Sequence, residues 1–135
     1  MAKMENFITG MTGVYFAAAE LSSRGFLVTI TARNAPHADI MVSTLNMKKT
    51  FSIQVKANKP NGTKSFWLLN KKSKKTTSPS FFYIFVNLNE NKKPDFYIVK
   101  SNIVAKKIKV SHRKSSDWYS FQRDEKYKDR WDYLK

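Results

Sequence analysis

From Phe7 to Ser23 the apolar side chains Phe7, Met11, Val14, Ala18 and Leu21 recur in steps of four and three, which stack on one face of a helix. Arg24-Gly25 ends that pattern, glycine being suited to the left-handed position after a helix. Phe26 to Thr31 is rich in β-branched residues and predicts a strand. Ala32 to His37, with Asn34 and Pro36, predicts the connection out of it. Next come "ADIMVS", residues 38–43, and "FSIQVKA", residues 51–57, separated by a polar stretch around Asn46 to Lys49. They predict two neighbours in an antiparallel hairpin. In the second, Phe51, Ile53, Val55 and Ala57 share one face and Ser52, Gln54 and Lys56 the other.

Residues 58–80 hold Pro60, Gly62, Pro79 and a basic run at Lys71, Lys72, Lys74 and Lys75, interrupted by "FWLL" at 66–69. This predicts an irregular basic segment with one short element. "FFYIFVNL", residues 81–88, is almost continuously apolar and predicts a central strand covered on both sides. "DFYIVK", residues 95–100, predicts another strand. Ser101 caps a short helix through Lys109, and Tyr127, Trp131 and Leu134 predict a last amphipathic helix. No internal repeat or linker interrupts the chain, so residues 1–135 are expected to form one domain, of α/β or α+β class with a helix at its front.

Composition narrows the chemistry. Hydrophobic residues make up 41% and aromatics 14%, enough for a packed core in a chain of this length. Cysteine is absent, which excludes disulfides, thiol nucleophiles and cysteine-bound zinc. The two histidines, His37 and His112, argue against a histidine-built metal site. The longest apolar run, Phe81 to Val86, is far short of the roughly 20 residues of a membrane span. No signal-peptide pattern opens the chain, so no membrane association and a cytoplasmic location are expected. The net charge of +15 attracts polyanions, nucleic acid ahead of acidic membranes and acidic proteins.

Carboxylates are scarce, and only Glu20 and Asp39 fall within the first helix and the first hairpin. Each has an ordinary alternative. Glu20 can pair with Arg24 one turn on, Asp39 can cap or turn the backbone, and Gln54 and Lys56 can be the exposed face of an edge strand. Together they suggest more. Asp39, the Gln54 side-chain carbonyl and the Val55 backbone carbonyl are hard oxygen ligands for a divalent cation on phosphate. Lys56 can then neutralise charge developing on the phosphate or orient the attacking water.

"GVYFAAAELSSRGF", "HADIMV" and "FSIQVKA" resemble the PD-(D/E)XK nuclease superfamily, shared by restriction endonucleases and archaeal-type Holliday junction resolvases. The resemblance implies a restriction endonuclease-like fold, a mixed central sheet flanked by helices with an N-terminal helix followed by three strands. It makes Glu20 the helix acid, Asp39 the metal aspartate, Gln54 the variant position of a Gln-x-Lys motif and Lys56 the catalytic lysine. The implied cofactor is Mg²⁺ or Mn²⁺, and the implied activity is endonucleolytic hydrolysis of DNA. Lys48, Lys49, Lys59, Lys64, Lys71, Lys72, Lys74 and Lys75 flank that site in sequence and are expected to neutralise phosphates. Cutting two strands takes two sites, which leaves room for a homodimer. Two alternatives stay open, the first because Gln54 removes one negative charge from the motif. One is an inactive nucleic-acid-binding module on the same fold, the other a basic interaction subunit of a larger restriction or defence system.

Overall fold

The alternation in residues 51–57 becomes the centre of the architecture in the computed structural model, which describes residues 2–31, 38–60 and 64–135, with side chains from Glu5 onward. A long helix, α1 (Ala2–Ser23), leads into β1 (Leu27–Ile30), β2 (Ile40–Ser43) and β3 (Thr50–Asn58). Then follow β4 (Phe66–Leu69), a single 3₁₀ turn at Lys71–Lys74, β5 (Phe81–Asn87) and β6 (Asp95–Lys100). The chain finishes with α2 (Ser101–Lys107), β7 (Lys109–His112), β8 (Asp117–Gln122) and two short 3₁₀ turns. The connection expected over Ala32 to His37 lies outside the described residues.

β1, β2, β3, β5 and β6 form a mixed five-stranded sheet in that order, antiparallel except for the parallel pair β3–β5. β4, β8 and β7 form a separate antiparallel sheet. The expected hairpin is present, with Ile40 opposite Ile53 and Ser43 opposite Thr50. The whole is mixed α/β, with an N-terminal helix, three strands and a mixed central sheet, as expected.

Two cores lie on opposite faces of the five-stranded sheet. On one face Val14, Ala17 and Leu21 of α1 pack on Ile53, Val55, Phe82, Ile84 and Val86. On the other, Phe81, Tyr83 and Phe85 meet Trp67 and Phe121 from the small sheet and Val104 from α2. Phe85 and Phe121 stack at 4.8 Å, and Trp67 lies 5.0 Å from Phe85. β5 feeds both cores with alternate side chains, which is why its sequence is apolar throughout. The central sheet is therefore covered by a helix on one side and mainly by a second sheet on the other.

The C-terminal part departs from the sequence reading. The helix after Ser101 ends at Lys107, and the basic stretch that follows is strand β7 rather than a helix end. The expected last amphipathic helix is absent: two 3₁₀ turns after β8 take its place. Tyr127, Trp131 and Leu134 are all buried, but Tyr127 enters the second core while Trp131 and Leu134 enter the first. One straight helix cannot serve two faces of a sheet. The chain instead wraps the edge strand β6, with Tyr97 bridged to Lys128 and the Asp129 amide on the Phe96 carbonyl at 3.0 Å.

"FWLL" is also more ordered than expected. It is β4, and Trp67 is 1% exposed with its indole N–H donated to the Val86 carbonyl at 3.0 Å. Trp67 is thereby a core residue.

Candidate active site

β2 and β3 pair from Ser43–Thr50 up to Ile40–Ile53, and the Asp39 amide still reaches the Ile53 carbonyl at 2.8 Å. One step further the side chain of Asp39 replaces the ladder. Its Oδ2 accepts the Val55 amide hydrogen at 2.8 Å and the Gln54 Nε2 hydrogen at 3.1 Å. The alternation of β2, with Ile40 and Val42 in the helix-side core, turns Asp39 to the same face as Gln54 and Lys56. Sequence thus specifies both the strand end and the side on which the carboxylate sits.

Asp39, Gln54 and Lys56 are all half-buried. Burial pushes the Asp39 carboxyl up, opposed by the Val55 hydrogen bond and by the charge of Lys56. Burial likewise pushes the Lys56 ammonium down, opposed by Asp39. Among the described residues Lys56 forms no ion pair within 4.0 Å. A half-buried cation near a carboxylate, with no ion pair among the described residues, is available to a ligand anion.

The groove beside Lys56 is lined by Asn6, Thr9 and Gly10 of α1, by Lys59 and Lys64, and by Trp67 and Leu68 of β4. A second hollow, on the Asp39 side, shares Asn6 and Gly10 and adds Phe7, Met11, Ile30 and Thr31. The N-terminal half of α1 therefore borders both.

Glu20 is not there. It lies ten residues beyond Gly10, about 15 Å along the axis at 1.5 Å per residue, and its Oε2 accepts from Arg24 Nε at 3.2 Å. The local i,i+4 pair describes its surroundings. Gly13, whose missing side chain leaves room on the helix face, serves packing: a Cβ there would lie 2.6 Å from the Ala57 Cβ.

The basic residues divide into three groups. Lys59 and Lys64 line the groove, and Lys59 Nζ is 3.1 Å from Glu5 Oε2. Lys71, Lys72, Lys74 and Lys75 are exposed on and after the 3₁₀ turn. The buried Ser73 between them lies by the Tyr83 side chain, the β5 neighbour of Gln54, so the turn sits on the same face as Gln54. Lys48 and Lys49 lie at the turn of the β2–β3 hairpin, its opposite end from Asp39. Sequence reading missed Asn6 and Thr9, and also Lys92 and Arg123, which join Lys59 and Lys64 around a neighbouring hollow. The signal for the helix residues was the polar and small series Asn6, Thr9, Gly10 and Gly13, at helical spacing upstream of Glu20.

Among the described residues no group of three or more His, Asp or Glu side chains gathers as a metal centre. The site fits a smaller demand. Mg²⁺ binds through one or two carboxylates, keeps several waters and takes further oxygens from substrate phosphate. Asp39, whose Oδ1 receives no hydrogen bond among the described residues, and the Gln54 carbonyl are oxygen donors of that kind.

No protein-family model matches this sequence, and no curated protein is significantly similar to it. Its fold is similar to the solved structure of a bacterial homing endonuclease, I-Ssp6803I, with a TM-score of 0.56 and 14% identity. The match covers 92% of this chain and 86% of that one. The chain thus has an endonuclease-like fold. No helix among the described residues is long and apolar enough to cross a membrane.

Gln54→Glu tests the electrostatics of the site directly. It replaces the donor to Asp39 Oδ2 with a second carboxylate, so without divalent metal the two charges repel and the melting temperature is expected to fall by several degrees. Mg²⁺ should restore it, whereas the wild type should shift little; a thermal melt with and without the ion reads both.

Proposed function

We propose that the protein is a divalent-metal-dependent endonuclease that hydrolyses phosphodiester bonds in DNA. The observation that carries this reading is the Asp39 carboxylate, fixed by the Val55 amide and the Gln54 amide group beside a half-buried Lys56 that has no ion pair among the described residues. Asp39, Gln54 and the Val55 carbonyl would hold the metal. When bound, Mg²⁺ or Mn²⁺ supplies Lewis-acid charge to the phosphate and activates water.

The chain's own residues do the rest. Lys56 donates to a non-bridging phosphate oxygen, an interaction that strengthens as negative charge grows toward the transition state. Its partial burial excludes water that would screen that charge. Lys59 and Lys64 hold the flanking backbone, and the exposed lysines from Lys71 to Lys75 lengthen the track on the same face.

The test is cleavage of supercoiled plasmid, branched DNA and linear DNA with Mg²⁺, Mn²⁺ or chelator, comparing wild type with Asp39→Ala and Lys56→Ala. Metal-dependent cutting that falls at least about a hundredfold in both variants is the expected result. Equal cutting by wild type and Lys56→Ala overturns the assignment. That Asp39 is the single carboxylate lining the site among the described residues favours a second reading, a binding module that does not cut. For that module the wild type binds every substrate in a salt-dependent way and hydrolyses none.

A further inference from the structure

The small sheet has an inner and an outer face. Trp67 opposite Phe121, both buried in the second core, marks the inner one. Residues directly opposite each other in an antiparallel ladder share a face, and their neighbours along each strand take the other. The outer face therefore holds Phe66 and Leu68 of β4, Trp118 and Ser120 of β8, and Lys109 and Ser111 of β7. Trp118 and Leu68 are each 43% exposed. The other two tryptophans, Trp67 and Trp131, are buried, so Trp118 alone offers its ring to a ligand.

Three observations give this face its chemistry. Arg113, where β7 turns into β8, holds its guanidinium 4.3 Å from the centre of the Trp118 ring. Residues 96–116 contain six Lys and Arg and no Asp or Glu, and Asp117, which follows them, is tied to His112 Nδ1 at 2.8 Å. Leu68, finally, also lines the groove beside Lys56. It faces Ser120, so Trp118 is its diagonal neighbour, about 7–8 Å away. The outer face thus runs into the candidate active site. A duplex turns its phosphates outward and keeps its base faces stacked inside, so it uses the cations and leaves the indole idle. An unpaired strand engages both, through its phosphates and through the flat faces of its bases.

We propose that the outer face of the small sheet binds single-stranded DNA, with one unpaired base stacked on Trp118 and the strand continuing over Leu68 toward Lys56. Arg113 steadies the indole and pairs with a phosphate beside the stacked base, and Lys109 neutralises another. An acidic polypeptide meets the same cations without using the ring. The favoured substrate is then DNA with an unpaired segment next to the bond that is cut. This deepens the proposed endonuclease reading and rests on it for the choice of DNA.

The test is binding by the full chain in the presence of chelator, so that no metal-dependent cutting intervenes. Fluorescein-labelled oligothymidylate, a duplex of equal length and oligouridylate are titrated by anisotropy, and tryptophan emission is followed with each and with polyglutamate. Oligothymidylate is expected to quench the emission of Trp118. Trp118→Leu should remove the quench and weaken oligothymidylate binding at least about tenfold, while changing duplex binding less than about twofold. Trp118→Phe should recover most of the lost affinity, because a ring stacks where leucine does not. Both variants should melt near the wild type, since the residue is exposed. Absence of a quench with oligothymidylate, or unchanged binding of it by Trp118→Leu, would overturn the proposal. So would an equal loss of duplex affinity, an equal quench by polyglutamate, or tighter binding of oligouridylate. Cutting is read separately: a wild type that passes these tests and never cleaves removes the nuclease reading alone, and one that cleaves while Trp118→Leu binds single strands normally removes this inference alone.

Discussion

On the proposed nuclease reading, Lys56→Met is expected to slow cleavage sharply and make the protein more stable at once. Methionine preserves much of the length and apolar stem of lysine while removing the charge. The ammonium lies half-buried without an ion pair among the described residues, and burial lowers its pKa, so the charged form carries a desolvation cost in the folded state. Removing it should stabilise the fold by about 1–2 kcal/mol and raise the melting temperature by about 5 °C. Loss of a donor aimed at developing negative charge should reduce the cleavage rate roughly a hundred- to a thousandfold. A purely structural lysine would move neither quantity in this combination.

The pH dependence of stability reports the same group. Between the lowered folded pKa of Lys56 and its ordinary value of 10.5 the unfolded chain binds more protons, so this lysine makes stability rise with pH across that window. Lys56→Met should lose that alkaline rise. Asp39 acts at the other end of the scale: its folded pKa is raised above 3.8, so its contribution to stability falls as pH climbs from 3.8 through the raised value. Both groups weaken the fold in their charged forms, the pattern expected where function and stability compete. Denaturant titrations across pH, for wild type and variant, measure both effects.

Gly13→Ala is expected to be the most damaging small substitution in the helix. Its new Cβ would meet the Ala57 Cβ at 2.6 Å, and both atoms are fixed to backbone, so neither can rotate away. The helix must lift from β3 and loosen Val14, Ala17 and Leu21. Gly10→Ala is the matched control, because nothing lies within 4 Å of its new Cβ. Both substitutions gain the same helix propensity, about 1 kcal/mol. Their difference isolates the clash, expected at about 2–3 kcal/mol. Gly13→Ala combined with Ala57→Gly should recover much of the loss. If Gly13→Ala and Gly10→Ala have equal melting temperatures, the close approach of α1 to β3 is refuted.

Local pattern made much of this fold legible. The strands of the central sheet, the antiparallel hairpin and the long first helix follow from alternation, helical spacing and Gly25, whose φ of +93° is the left-handed stop the sequence suggests. The juxtaposition of Asp39 with Gln54 follows from the hairpin register. Long-range partners were not legible. "FWLL" becomes a strand because β8, some fifty residues later, pairs with it through Trp67 opposite Phe121. The apolar spacing at Tyr127, Trp131 and Leu134 correctly marks burial, but periodicity cannot tell that one residue enters one core and two enter the other. Glu20 shows the same limit. A carboxylate on the right helix was visible, whereas the end of that helix nearest Asp39 depended on how α1 lies across the sheet.

The division of β5 between two cores also bears on how the molecule comes apart. Each alternate side chain of that strand anchors a different layer, and residues 127–134 seal both layers from their open edge. Neither layer can melt while β5 stays in place, and neither survives its departure. Helix and small sheet, though they sit on opposite sides of the molecule, thus belong to one cooperative unit, with a strain on either transmitted through a single central strand.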